Sequence, residues 1–346
     1  MTAAAARRAF SGWLRNPRLG LIVAGGAVVA LAVVVAVAGR IGPWSNWGFV
    51  EFKMPSRTDI PVAIAVARDG IVWFTLEASD AIGTLRNGTI QKIGTGADSL
   101  EPLGLAVDAE GSVWYTNAQA RAISRVSPDG AIKSFPLSTS IARLGRLAVA
   151  PDGAVWFAEP TVVSVTRLKD GVFTRHTVGP PSPMGSSNVG PFGVAVDPQG
   201  TVWATLQNAN SLVRIRAGAE MTAFDVPTRR SGLGDVALDG RGAVWVLEAS
   251  ANKVARFIGG RFEEFPVPTP NAGLTALAVA PDGAAWFTEL RAHKLGRVRD
   301  GVITEFALPR GDARPFGITV DASNNVWYTD LSGWLGRLAA DRARGR

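Results

Sequence analysis

Apolar positions in this chain fall into short runs of four to six residues, many of them alternating, and turn residues separate the runs. That period-2 pattern predicts strands, and no stretch beyond residue 40 carries the 3.6-residue period of an amphipathic helix. The runs come in sets of four, and each set carries a tryptophan in its second run. Trp73, Trp114, Trp156, Trp203, Trp245, Trp286 and Trp327 recur at intervals of 41 to 47 residues. A repeat of about forty residues holding four antiparallel strands is a propeller blade, and seven copies predict an all-β, seven-bladed β-propeller.

Each set repeats its punctuation. The first run ends in an Asp-x-x-Gly turn, at 108–111, 197–200 and 239–242, or in Pro-Asp-Gly, at 151–153 and 281–283. Aspartate there bonds its own turn and glycine supplies positive φ. The third run ends in arginine, and the fourth often ends in proline, which suits an edge strand that lacks a neighbour. The ends of the chain are complementary. After Trp327 a third run follows at 333–338 and the fourth is missing, whereas residues 49–55 form a surplus run like 303–309. The surplus run is expected to complete the last blade and hide its edge. The longest interruption is a Pro/Ser/Gly loop at 180–190.

Ahead of the repeats, residues 19–39 contain no charge and are long enough to span roughly 30 Å as a helix, the thickness of a bilayer core. Residues 1–18 carry four arginines and no acid, which orients that end to the cytoplasm. The expected organisation is a basic cytoplasmic tail (1–18), a transmembrane signal-anchor (19–39), a linker (40–48), the propeller (49–340) and a basic tail (341–346). The location implied is a bacterial cell membrane crossed once, with the propeller facing the periplasm or exterior. Cleavage after Ala38 would instead release it.

Charge removes one function class. The net charge is +7, but the basic excess lies in residues 1–18, Arg40 and 341–346, so 41–340 is neutral overall. No nucleic-acid footprint is indicated. The chain has no cysteine, which rules out thiolate metal sites and a cysteine nucleophile.

In a propeller the starts of the inner strands and the ends of the second strands share one face near the axis. The starts, eleven residues before each tryptophan, are Val62, Leu103, Gly145, Phe192, Gly234, Thr275 and Phe316. The ends, three residues after it, are Leu76, Asn117, Glu159, Leu206, Glu248, Glu289 and Asp330. The ligand-face candidates are therefore Glu101, Arg143, Glu159, Phe192, Arg314 and Phe316. Glu248, Glu289 and Asp330 form an acidic arc that could bind Mg²⁺ or Ca²⁺ through oxygen ligands, or pair with Arg143, Arg146 or Arg314.

The segments Pro315-Phe-Gly-Ile-Thr-Val-Asp, Trp286-Phe-Thr-Glu289 and Asn252-Lys-Val-Ala-Arg256 resemble the streptogramin (virginiamycin B) lyase family, and the likeness covers nearly all of 49–340. It implies a central-face site with a divalent metal on two glutamates and a catalytic histidine in a Glu-Pro-His-Gly strand start. This chain departs from that pattern. Glu101-Pro102-Leu103-Gly104 carries leucine in the histidine's place, the partner position is Asn117, and Phe316 also stands where a histidine would. Its two histidines, His176 and His293, fall in a fourth run and in a turn. The favoured expectation is a non-catalytic extracytoplasmic platform for a peptide, glycan or envelope protein. The alternative is a metal-dependent lyase or hydrolase acting on a lactone, peptide or glycan.

Overall fold

The computed structural model describes residues 48–343 apart from 80, 96–102, 119, 139–142, 180–189, 208, 217 and 219. The expected anchor and both tails fall outside the described residues, except for 341–343. Among the described residues no helix is long and apolar enough to cross a membrane.

Residues from Gly48 onward form seven four-stranded antiparallel sheets. Blades 1 to 6 take their strands in chain order, as in blade 4: Pro191–Val196, Val202–Leu206, Ser211–Ile215 and Met221–Asp225. The inner strand of each blade packs on that of the next, and the seventh, Pro315–Val320, packs on the first, Pro61–Val66, so the ring is closed. Blade 7 is completed by the N-terminal strand, as expected. Phe49–Lys53 pairs antiparallel with Trp334–Leu338, Phe49 opposite Leu338 and Lys53 opposite Trp334. The turns also form as expected: Gly111, Gly200 and Gly242 have positive φ, and Asp197 Oδ1 accepts the amide of Thr201 at 2.8 Å.

The tryptophans fill the wedges between blades. In six blades the third-strand partner of the tryptophan is an arginine, as for Trp114 opposite Arg125 and Trp245 opposite Arg256. Its guanidinium lies over the indole, 5.6 Å from the ring centroid in both pairs. An aromatic ring from the outer strand covers the same indole, Phe135 on Trp114 and Phe265 on Trp245. Each such cation–π contact contributes about 0.5–1 kcal/mol, and its recurrence makes these arginines structural.

A second repeating device joins the blades. Five of the seven blades carry threonine two residues after the tryptophan: Thr75, Thr116, Thr205, Thr288 and Thr329. The inner strand has an irregular register at its start, for example between Pro191 and Val194. The amide that loses its ladder partner there donates to this threonine, Gly193 to Thr205 at 3.0 Å and Gly317 to Thr329 at 2.7 Å. The hydroxyl then donates to the next inner strand, Thr205 to the carbonyl of Gly234 at 2.6 Å and Thr329 to that of Val62 at 2.7 Å. Glycine allows the approach. A Cβ on Gly317 would come within 2.4 Å of the Val62 oxygen.

Candidate functional site

Irregular register re-aims the strand starts, and six of the seven start residues converge on one cleft of about 310 Å³ at the axis. Leu103, Gly145, Phe192, Gly234, Thr275 and Phe316 line it, together with Arg143, Leu144, Leu274, Pro160, Pro191 and Gln207. The surface is aliphatic and aromatic, with three polar side chains at its edge. Such a wall suits a ligand with an apolar body and a few polar groups. No histidine and no carboxylate is among the described lining residues.

Below the cleft the channel is crossed by Arg146. From the entry to blade 3 its Nη1 donates to the carbonyl of Leu103 in blade 2, and its Nη2 to that of Thr275 in blade 6, each at 3.2 Å. Asp235 of blade 5 lies 3.5 Å from Nη2, and the guanidinium sits over Phe192 of blade 4 at 5.9 Å. One side chain thereby ties together four other blades. Arg146 and Asp235 share one place in the repeat, ten residues before the tryptophan, where the other blades have alanine or glycine. The blades that lack the stitching threonine, with Ala158 and Leu247 instead, are these same two. Two opposite charges at an otherwise small position were the overlooked sign of this crosspiece.

The candidates divide. Phe192, Phe316 and Arg143 line the cleft. Glu101 lies outside the described residues. Arg314 is exposed beside Phe316 and gives its backbone amide, not its guanidinium, to Asp330 Oδ1 at 2.9 Å. Glu159 does not face the cleft. It is 1 % exposed and is gripped by Arg175 of its own outer strand through Nε at 3.1 Å and Nη2 at 3.0 Å.

The acidic arc is likewise turned away from the axis. Among the described residues no three His, Asp or Glu side chains are grouped so as to hold a metal ion. Strand alternation explains this. The tryptophan and the threonine two residues on point to one side of the sheet, so the acid three residues on points to the other. Each acid meets its own blade's outer strand, and the pairing with Arg143, Arg146 or Arg314 does not occur. Asp330 instead accepts from Arg310 Nη2 and from the amide and hydroxyl of Ser332 at 2.8 and 2.7 Å. Arg310 Nε also reaches Glu51 on the closing strand at 3.2 Å, and Glu51 accepts from Tyr328 at 2.9 Å.

Glu248 and Glu289 have no such partner. Both are fully buried, accept no hydrogen bond from any donor, and face an outer-strand carboxyl group, Glu264 and Glu305 respectively. Burial, followed by the nearby charge of Glu264, pushes Glu248 up to about 7. Burial and the charge of Glu305 push Glu289 up to about 8. The facing lysines go to the outer carboxylates instead: Lys253 to Glu264 and Lys294 to Glu305, both at 2.7 Å. The sequence reading passed over Glu51, Glu264 and Glu305. Their signal was an acid recurring in the fourth run opposite each buried one.

Neither histidine approaches the cleft. His176 occupies the outer-strand place where other blades put phenylalanine and packs on Trp156 at 5.2 Å; burial and Arg167 lower its pKa. His293 takes the turn place of Asn252, shares its positive φ, and turns Nδ1 to the carbonyl of Ala313.

The chain matches the model of the Virginiamycin B lyase family over residues 20–185 and 181–344. It is 34 % identical to a virginiamycin B lyase of Nocardia farcinica (strain IFM 10152) over 196 residues, which span 56 % of this chain and 64 % of that protein. A streptogramin B lyase structure superposes with a TM-score of 0.78 at 26 % identity, covering 85 % of this chain and 98 % of that one. A catalytically inactive histidine-to-alanine variant of virginiamycin B lyase from Staphylococcus aureus, crystallised with Quinupristin, gives a TM-score of 0.77 at 26 % identity over 84 % and 98 %.

Proposed function

Starting from the Virginiamycin B lyase family, to which this chain belongs, we propose that the protein is a membrane-anchored extracytoplasmic binding platform whose axial cleft holds a ligand without opening a ring. The observation that carries this reading is the composition of the cleft wall. Leucine and phenylalanine occupy the strand-start places where the resemblance puts histidine, and a single histidine substitution leaves a relative catalytically inactive. An elimination needs a base placed on the departing proton, and such a base contributes about 10²–10⁴ in rate. Both histidines of this chain serve the sheet framework.

Incubation of the full-length protein with Quinupristin, followed chromatographically, should yield no ring-opened product above buffer. Turnover well above buffer overturns the reading. If that turnover disappears with chelator, the metal-dependent lyase is the correct alternative. The anchor rests on the uncharged stretch 19–39 behind four arginines. Protease added to intact spheroplasts should then digest the propeller, and complete protection rejects the orientation.

A further inference from the structure

Arginines stand at both mouths of the propeller, and only one mouth combines them with the apolar cleft. On the mouth formed by the strand ends and Asp turns, Arg86 pairs with Asp69, Arg167 with Asp152 and Arg299 with Asp282, whereas Arg68 and Arg241 are exposed and in no ion pair among the described residues. On the cleft mouth, Arg143, Arg229, Arg230 and Arg314 are all exposed, and no ion pair joins any of them to a carboxylate among the described residues. Arg143 lines the cleft itself. Arg314 lies two residues before Phe316. Arg229 and Arg230 lead into Leu233–Leu238, whose Gly234 is in the cleft wall. These cations lie in the segments that lead into the inner strands of blades 3, 5 and 7, and Arg143 reaches the cleft wall itself.

The loop carrying two of them is held rigid. Asn210 Nδ2 donates to the carbonyls of Val226 and Thr228 at 3.0 and 2.9 Å, and its Oδ1 accepts the amide and hydroxyl of Ser231 at 2.8 Å each. Glu264 fixes Thr228 through its amide and hydroxyl, at 3.0 and 2.7 Å. Arg230 also has a φ of +53°, where the equivalent place in the next blade has Asn271 at +52°. Asparagine adopts that region at lower cost than arginine.

We propose, building on the platform reading, that the cleft mouth docks an extended acidic peptide segment of a protein partner, with one aromatic or large aliphatic side chain seated among Leu103, Phe192, Leu274 and Phe316. Guanidinium forks match carboxylates in paired geometry, and cations around a low-dielectric wall draw in an anionic partner. The cleft's volume accepts a side chain, not a duplex. A membrane surface fits less well, because the large exposed apolar residues are Val50, Val172, Met221 and Val302 on outer strands and Ile258 at the end of a third strand, none of them in the cleft lining.

The test is anisotropy titration of the full-length protein with a fluorescein-labelled Glu-Asp-Phe-Glu-Asp-Glu peptide. Two controls are its Gln/Asn counterpart and a version with alanine for phenylalanine. Expected are binding that weakens from 50 to 200 mM salt, a loss of at least tenfold with either control, and a similar loss with Arg229→Glu/Arg230→Glu or Arg143→Glu at unchanged Tm. If the Gln/Asn peptide binds equally well, with the arginine variants silent and Phe316→Ala disruptive, the acidic partner is overturned while the platform stands. If heparin or vesicles of equal phosphatidylglycerol and phosphatidylcholine bind as tightly, and the phenylalanine is irrelevant, the surface is a general polyanion binder and the proposal fails. Failure of every probe to bind also overturns it, whereas the platform reading falls separately, on Quinupristin turnover.

Discussion

Blades 3, 5, 6 and 7 all end the second strand in an acid, and blades 3 and 7 differ from blades 5 and 6 in what that acid meets. Glu159 and Asp330 are buried but compensated, by Arg175 and Arg310. Glu248 and Glu289 are buried to the same degree and face another carboxylate. The place in the repeat sets burial in all four cases, while the neighbouring side chains differ: Arg175 of the outer strand for Glu159, Arg310 of the preceding connection for Asp330, and outer-strand carboxylates for Glu248 and Glu289. Burial without a compensating cation favours the protonated carboxyl, which is why Glu248 and Glu289 are pushed up. Repeat position therefore predicts geometry across the ring and leaves the chemistry to be read blade by blade.

The largest break in the comparison is expected at the compensated sites. Arg310→Met would strip the cation from Asp330 and Glu51 together. Removing one partner of a buried pair costs about 3–5 kcal/mol, so chemical denaturation should show a large drop in midpoint, and an unchanged midpoint would dissolve the distinction. In blade 3, Glu159→Gln should cost about 1–2 kcal/mol, less because the Arg175 side chain can turn to solvent, being 38 % exposed.

The uncompensated pair should give the smallest effect at mildly acidic pH and one of opposite sign at alkaline pH. Both folded values, about 7 and about 8, lie above the ordinary glutamate value of 4.5. The native state therefore holds more protons than the unfolded chain between about 4.5 and 8, and stability falls as pH rises through that window. Tm measured from pH 5 to pH 9 should decline for the wild type. Glu248→Gln/Glu289→Gln should differ little near pH 5 and melt higher than wild type at pH 9. Parallel curves at all pH values would show that these carboxyls do not titrate in the folded protein.

The architecture was legible because the repeat states it seven times. Tryptophan spacing, Asp turns and the surplus strand at 49–55 each correspond to a backbone feature, and all three are present. The mouth was half legible. Strand-start counting placed Phe192 and Phe316 correctly, since inner-strand position alone decides what reaches the axis. The acids failed by one step of pleat alternation, because Trp286 and Glu289 are an odd number of residues apart and so face opposite sides. Arg146 was given the acidic arc as its partner, and its actual contacts with Asp235, Leu103 and Thr275 were missed because they lie across the ring, between blades far apart in the chain. A pattern that compares each blade with itself does not report such a contact, except as the two places where a small residue is replaced by a charge.

The closing strand has a consequence in time. Phe49–Lys53 finds its partner only at Trp334–Leu338, about 285 residues later. At the roughly 5–20 residues per second of synthesis, the first strand to emerge waits about 15–60 seconds for the last. Until then blade 7 lacks its outer edge, and Glu51 has neither Arg310 nor Tyr328 beside it. A ribosome that stalls anywhere before Trp334 thus releases a chain whose leading strand is still unclaimed, an open edge that marks it as unfinished.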